Sequence, residues 1–486
     1  MITPSCEEIE KYAKDYDLVP ICREIYADVT TPIGLLRKLS AVSSRYYLLE
    51  SVEGGEKWAR YSFLGFDPIL RATCDKGAVT IESGGKNKKL VSDKPLDVLR
   101  EIMSHHKSPR IKGLPPFSGG FIGYFSYAMF AYAEPTLSIK RGDFHDFDLM
   151  LFDKIIAYDH LKQKIAIVVN MKTDRLMENY GKAVADIEKI AALIKAPTIP
   201  DIPSAERKTE FRCNVSKEEY CSIVEQTKEY IKNGDIFQAV ISRQFTAEYD
   251  GSLLNAYRVL RTSNPSPYMV YMKIDSLELM CSSPETLVRL QNGRLTTFPV
   301  AGSRPRGAND EEDKALKEEL LRDEKELSEH NMLVDLGRND LGKISKLGSV
   351  ELSAYMMIHR YSKVMHICSQ VESDIRDGED GFSAIEAVLP AGTLSGAPKI
   401  RACQIIDELE SQPRGVYGGA LGYLDFTGNM DTCIAIRMAV KQNGRVYVQA
   451  GGGIVADSVP ELEYEESFNK AAALINAIKN SGEVDL

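Results

Sequence analysis

Short turn signals near the C-terminus constrain the fold more than any other feature. The runs ALGYLDF (420–426), DTCIAIRMAV (431–440) and GRVYVQA (444–450) are apolar and β-prone, and Gly428-Asn429 and Asn443-Gly444 separate them. Connections that tight join strands antiparallel, because a parallel return needs a crossover of about a dozen residues or more. IFQAVISRQF (236–245) and PYMVYMKI (267–274) read as further strands, as do residues 46–51, 154–159 and 164–169. Helical runs fall at 178–194, 217–233, 312–333, 382–389, 398–409 and 465–479. Strands and helices do not alternate regularly, so a doubly wound parallel sheet is disfavoured and an α+β fold is expected.

The 486-residue chain has room for two or three domains. Residues 196–210 contain Pro197, Pro200 and Pro203 without helical or strand periodicity, and read as a linker between an N-terminal part (1–195) and a C-terminal part (211–486). Just beyond it, Ser216 and Glu219 have capping-box spacing. Nine scattered cysteines form no C-x-x-C pair, so neither a disulfide framework nor a zinc site is indicated. The first residues are charged where a secretory signal needs an apolar core, and no apolar run approaches the roughly 20 residues that span a bilayer. A cytoplasmic chain without membrane contact is expected. Sixty basic against 70 acidic residues give a net charge of −10, which argues against a nucleic-acid partner. Such a chain must create positive potential locally to bind an anion.

Two polar helical segments each carry a carboxylate pair. Glu326 and Glu329 share one face of 323–342, and Glu463 and Glu466 share one face of 460–480. Converging pairs would suit a hard cation such as Mg²⁺, which takes oxygen ligands. Glutamates are also common on solvated helix faces, and spacing alone favours that plainer reading. PAGTLSGAPKIRACQIIDELE (390–410) reads as a loop and helix with Ser395 as cap and Pro398 in the first turn, where free N–H groups attract anions. AGGGIVADS (450–458) reads as a glycine turn after a strand, open to close backbone approach by a ligand. Both are also read as ordinary tight turns. Arg437, inside an apolar strand, calls for an anionic partner, either ligand or structural carboxylate.

Taken together, LLES (48–51), RYSFLG (60–65), NPSPYM (264–269), SSPE (282–285), PVAGSRPRG (299–307), ELSEHNMLVDLGRNDLG (326–342), AGTLSGAPK (391–399), DTCIAIR (431–437), GGGIVADS (451–458) and EYEESFNK (463–470) resemble the chorismate-utilising enzymes, most closely anthranilate synthase component I. The quoted motifs run from residue 48 to 470 in the family's order, and the resemblance covers the chain from about residue 20 to 480. The resemblance implies a large antiparallel β-sandwich flanked by helices, with both parts of the chain contributing. It implies Mg²⁺ bound by Glu329 and Glu466 with Glu326 and Glu463 beside them. The metal would hold the ring carboxylate of chorismate. Arg437, Tyr417 and the backbone of Gly452 and Gly453 would hold the enolpyruvyl carboxylate, with Thr393 in the same pocket and Lys470 near the metal. Glu285 becomes the acid for the departing C4 hydroxyl, and His366 a positioning or proton-transfer group for pyruvate elimination. His330 and His359 read as core histidines.

Two positions separate the family's reactions. Isochorismate synthases resemble this chain but carry a water-activating lysine where Gln238 stands, and glutamine is no general base. Aminodeoxychorismate synthases carry a nucleophilic lysine where Ala301 stands. Amination of chorismate at C2, then pyruvate loss to anthranilate, is the reaction implied. Aminodeoxychorismate synthase, isochorismate synthase and a non-catalytic anion-binding homologue are the alternatives. The sequence departs from the family at Ser303, Gly337 and Gly452, where threonine, alanine and alanine are usual. The resemblance also implies a separate glutamine amidotransferase subunit, anthranilate synthase component II, as ammonia donor. A feedback site for L-tryptophan is implied at Glu50, Ser51, Asn264, Pro267, Tyr268, Met269 and Cys433.

Overall fold

The computed structural model describes residues 2–51, 60–205, 209–360 and 364–484; residues 206–208 of the expected linker lie outside these. Among the described residues, thirteen strands form one antiparallel sheet and twelve a second. Each sheet takes strands from both sides of the proline-rich segment. In the first, Arg45–Glu50 pairs with Tyr268–Ile274 in the register Met269 to Glu50. In the second, Gly120–Phe125 pairs with Ala420–Asp425. The expected α+β sandwich is the observed architecture.

Alternation along the strands explains the layering. Tyr47, Ile155 and Val270 of the first sheet meet Ile122, Leu421 and Cys433 of the second in one buried cluster, the filling of the sandwich. Their sequence neighbours Leu48, Ile156 and Tyr271 point the other way, into a cluster with Ile187, Leu253 and Leu474 from helices Leu176–Lys195, Leu253–Ser263 and Pro460–Lys479. The second sheet is covered likewise by Leu99, Val334 and Ile385 from helices Pro95–Ser104, Glu324–Gly342 and Gly381–Val388. Strands buried on both faces read as continuous apolar runs. Among the described residues no helix is long and apolar enough to cross a membrane.

The turn chemistry held where it was used. Asn443 and Gly444 both adopt positive φ, 51° and 75°, in the hairpin joining Met438–Gln442 to Arg445–Ile454. Asn292-Gly293 makes an equivalent turn that sequence reading passed over. Ser216 caps Lys217–Lys232 with the full reciprocal box.

Five local expectations change. The run 431–440 is not one strand. Met430–Ile434 lies in the second sheet and Met438–Gln442 in the first, with Arg437 at φ 49° in the crossing between them. No glycine or proline marks that bend, so periodicity could not locate it. Gly451, Gly452 and Gly453 are strand rather than turn, paired with Ser242, Ile241 and Val240. The stretch 312–333 divides into Asp310–Leu320 and Glu324–Gly342, because Asp323 accepts from the Lys325 and Glu326 amides and starts a second helix. Ser395 is not a helix cap; residues 396–397 pair with 238–239, the helix begins at Lys399, and the Ser395 hydroxyl donates to Ala391 O at 2.8 Å. His330 is buried as expected, whereas His359 is exposed on the strand Glu351–Arg360.

One buried ion pair fastens the loops around the site. Arg414, bonded to Glu410 at 2.7 Å, also donates to Leu394 O and to Val240 O at 2.6 Å. Glu410 in turn accepts from the Ser242 amide and hydroxyl. Arg414→Met would strand a buried carboxylate, and an unfolding titration should show a loss of about 3–5 kcal/mol.

Candidate active site

A cavity of about 210 Å³ opens where the sheet crossing, the loop 389–398, the glycine strand and the two glutamate-bearing helices meet. That is below the ~300 Å³ at which drug-sized sites begin and suits a single-ring molecule. Of the expected residues, Glu285, Glu329, His366, Thr393, Tyr417, Arg437, Gly453 and Lys470 line it, with Gln238, Ala301 and Ser303 beside them.

Glu285, in the two-residue link between the strands Leu277–Ser283 and Thr286–Gln291, is buried with Thr393 as its hydrogen-bonding neighbour, the hydroxyl lying 3.2 Å from both carboxyl oxygens. Burial pushes its pKa up to about 8, against the lowering effect of Thr393. At neutral pH it is a carboxylic acid with a proton to give.

Arg437 has the opposite problem. Among the described residues no carboxylate stands within ion-pairing distance of it, and burial lowers its pKa, opposed by the nearby Tyr417 and Glu466. A half-buried guanidinium without a counter-charge is a vacancy for an anion. Tyr417, held as a phenol by burial that raises its pKa to about 12, is a second donor at the same wall.

His366 Nδ1 lies 3.0 Å from Gly302 O, which can only accept, so Nδ1 carries the hydrogen and Nε2 keeps its lone pair. Ser303 Oγ, one of the departures from the family, sits 2.9 Å from the same nitrogen. Burial lowers the His366 pKa, the Gly302 contact opposes this, and the Arg437 charge lowers it further. The ring is a neutral base.

The two glutamate pairs flank the cavity from opposite helices. Burial first, then Glu326, raises the pKa of Glu329, with Glu466 adding to the effect. Burial and Glu466 raise that of Glu463. Lys470, 2.7 Å from Glu466 Oε1 and donating to Gly451 O, offsets this negative charge, and Lys325 acts in the same direction on Glu329 and Glu463. Glu463 accepts from Ser458 at 2.8 Å, and Glu326 lies 3.6 Å from Arg304. Glu326, Glu463 and Glu466 thus stand at the rim while Glu329 enters the cavity. Among the described residues no three His, Cys, Asp or Glu side chains are already gathered at ligand distance. The donor set nonetheless fits a hard divalent ion: carboxylates only, from two helices, with like charge close enough to raise the pKa values of Glu329 and Glu463. Gly452 completes the cradle without lining the cavity, because a Cβ there would lie 2.9 Å from Glu463 Oε2; one on Gly453 would lie 2.3 Å from Gln238 Nε2.

Sequence reasoning missed Gln449, whose Nε2 donates to Ser242 Oγ at 2.9 Å beside the cavity. Its signal was a lone polar residue in the apolar alternation of RVYVQA.

A second cavity of about 730 Å³ lies between the two sheets at the ends of their central strands, lined by Glu50, Ser51, Pro267, Tyr268 and Met269 together with Arg60 and Asp431. Asn264 and Cys433 do not line it. Asn264 ends a helix and accepts from Ser282 Oγ at 2.6 Å through its carbonyl, and Cys433 is fully buried in the sandwich core. Glu50 accepts from Tyr257 at 2.7 Å and Arg261 at 2.6 Å.

Residues 45–476 match the family of chorismate binding enzymes. Anthranilate synthase component 1 of Acetivibrio thermocellus is 46% identical, with 100% of both chains covered. The Aquifex aeolicus protein of the same name is 44% identical, covering 98% of this chain and 97% of its own. Among solved structures, anthranilate synthase component I from Streptococcus pneumoniae superposes with a TM-score of 0.77 at 36% identity, covering 93% of this chain and 99% of its own. The menaquinone-specific isochorismate synthase of Escherichia coli, at 20% identity and a TM-score of 0.71 over 98% of this chain and 99% of its own, shares the fold. A chain that matches from end to end, and whose two cavities gather residues of the motifs that carried the resemblance, belongs to the chorismate-binding enzyme family.

Proposed function

We propose that this chain is the chorismate-binding component of an anthranilate synthase, aminating chorismate at C2 with loss of the C4 hydroxyl and then releasing pyruvate. The observation that carries this reading is a cavity holding a protonated Glu285 with no lysine at either position that diverts the reaction, Gln238 and Ala301 standing there instead.

Each residue's part follows from its state. Arg437 and Tyr417 anchor the enolpyruvyl carboxylate. Ammonia brings its own lone pair and needs no base at Gln238. As nitrogen bonds to C2, electrons shift through the ring diene and the C4–O bond breaks. Glu285 gives that oxygen its proton, so water leaves rather than hydroxide. Neutral His366 is positioned for the later step, in which the C2 proton is removed and the enolpyruvyl C–O bond breaks as the ring becomes aromatic. Glu329 and Glu466, with Glu326 and Glu463 beside them, would hold Mg²⁺, which when bound supplies positive charge for the ring carboxylate. By likeness to the component 1 relatives, ammonia would come from a glutamine amidotransferase subunit.

We further propose that the second cavity is a feedback site for tryptophan. Asp431 in its wall accepts from Tyr268 at 2.8 Å, and six residues on the same stretch of chain reach Arg437. Tightening at one end would shift the other.

Incubation with chorismate, Mg²⁺ and ammonium should yield fluorescent anthranilate and equimolar pyruvate; isochorismate or aminodeoxychorismate as product would refute the assignment. Glu285→Gln should lower kcat by about 100-fold or more, the usual share of a general acid. Because Glu285 acts protonated, kcat/KM at constant free ammonia should fall as pH rises through about 8, and a flat profile would remove it as the acid. Glu466→Gln with undiminished Mg²⁺-dependent activity would refute the metal assignment. Saturating tryptophan should depress turnover, and unchanged turnover would refute the feedback site.

A further inference from the structure

Among the described residues Arg243 is the largest fully buried side chain, 1% exposed, and no part of the chemistry above uses it. A guanidinium so deep is normally neutralised by a carboxylate. Among the described residues Arg243 has none. Its Nη2 donates to Tyr464 O at 2.6 Å, its Nε to Ser467 Oγ at 2.9 Å, and its Nη1 lies 3.9 Å from Cys213 Sγ. The Tyr464 ring stacks on it 3.7 Å from the centroid, and Phe245 and Tyr220 lie at 5.0 and 5.4 Å. Ser467 Oγ also donates to Tyr464 O at 2.8 Å, leaving its lone pairs to the arginine. Both acceptors lie on the helix Pro460–Lys479, interleaved with Glu463 and Glu466. At its other end Arg243 is fixed in the strand Gln238–Glu248, opposite Ala450 and next to the register of the glycine run.

We infer that Arg243 is a positioning residue for the metal-binding carboxylates, setting the rotation of the C-terminal helix so that Glu463 and Glu466 face Glu329. The inference rests on the magnesium reading above. A planar fork held by two adjacent acceptors within one turn of the helix fixes the orientation of that turn in a way that apolar packing does not. Carboxylates stand about 6 Å from a helix axis, so a turn of roughly 20° displaces them by about 2 Å, enough to lose a divalent ion. Dispersed neutral acceptors and aromatic faces, in place of a carboxylate, leave the positive charge of Arg243 directed at this helix.

The test is Mn²⁺ affinity of the full chain without chorismate, read by electron paramagnetic resonance, with circular dichroism to check folding. Arg243→Met and Arg243→Lys should keep the spectrum and weaken Mn²⁺ binding about tenfold or more, the scale of residues that support metal ligands. The rise in Tm on adding Mn²⁺ should shrink in step. Lysine keeps the charge and most of the bulk but cannot span both acceptors, so it decides the matter if the methionine variant does not fold. Folded Arg243→Lys with unchanged Mn²⁺ affinity overturns the inference. Glu466→Gln read in parallel separates the two failures. Weaker binding in Glu466→Gln beside unchanged binding in the Arg243 variants sinks only the positioning role. Unchanged binding in Glu466→Gln, or none in the unsubstituted chain, sinks the magnesium reading and the inference with it.

Discussion

Three residues, Ala435 to Arg437, carry the chain from one sheet of the sandwich to the other, and the site is arranged around that crossing. The Ala435 amide bonds to Gly419 O and the Arg437 carbonyl accepts from the Ser282 amide, both at 2.9 Å, so each end of the crossing is tied to a different layer. The side chain at its corner cannot follow either sheet's alternation. It turns into the gap between them, where a guanidinium meets burial with no carboxylate at ion-pairing distance among the described residues. A fold that tolerates such a charge is held there by everything else, and a bound carboxylate relieves it.

The surrounding charges show the same logic with opposite signs. Burial that disfavours the Arg437 charge also keeps a proton on Glu285 and leaves His366 neutral. Glu466 at the rim repels both Glu463 beside it and Glu329 in the cavity, and Lys470 acts on both in the opposite sense, so the cavity has a cationic floor and an anionic mouth that a cation would neutralise. A dicarboxylate with a metal ion fits that gradient. In a protein of net charge −10 the binding field is local, made by burial and by two helices facing each other. The buried Arg414–Glu410 pair and Arg243 hold those walls from behind.

The antiparallel sheets were legible because turn chemistry is local: Asn443-Gly444 adopts its hairpin conformation with little help from the rest of the chain. The helices bearing the glutamate pairs were legible from their period, and the site residues from motifs long enough to identify a family. The break at 435–437 left no mark, since crossing between sheets is decided by which partners each strand finds. The glycine run read as a turn because glycine signals freedom; in the structure it marks a close approach of strands, a Cβ on Gly451 lying 2.2 Å from the backbone oxygen of Ile241. His359 and Ser395 fell to the same limit, because burial and capping depend on neighbours distant in sequence.

By itself, then, the sequence determined the kinds of element, the tight turns and most of the motif residues that the cavity gathers, all properties of residues close together along the chain. Only the tertiary structure decided what those groups are at neutral pH. Glu285 is an acid, His366 a base and Arg437 an unmatched cation because long-range packing removes water from each and chooses its neighbours.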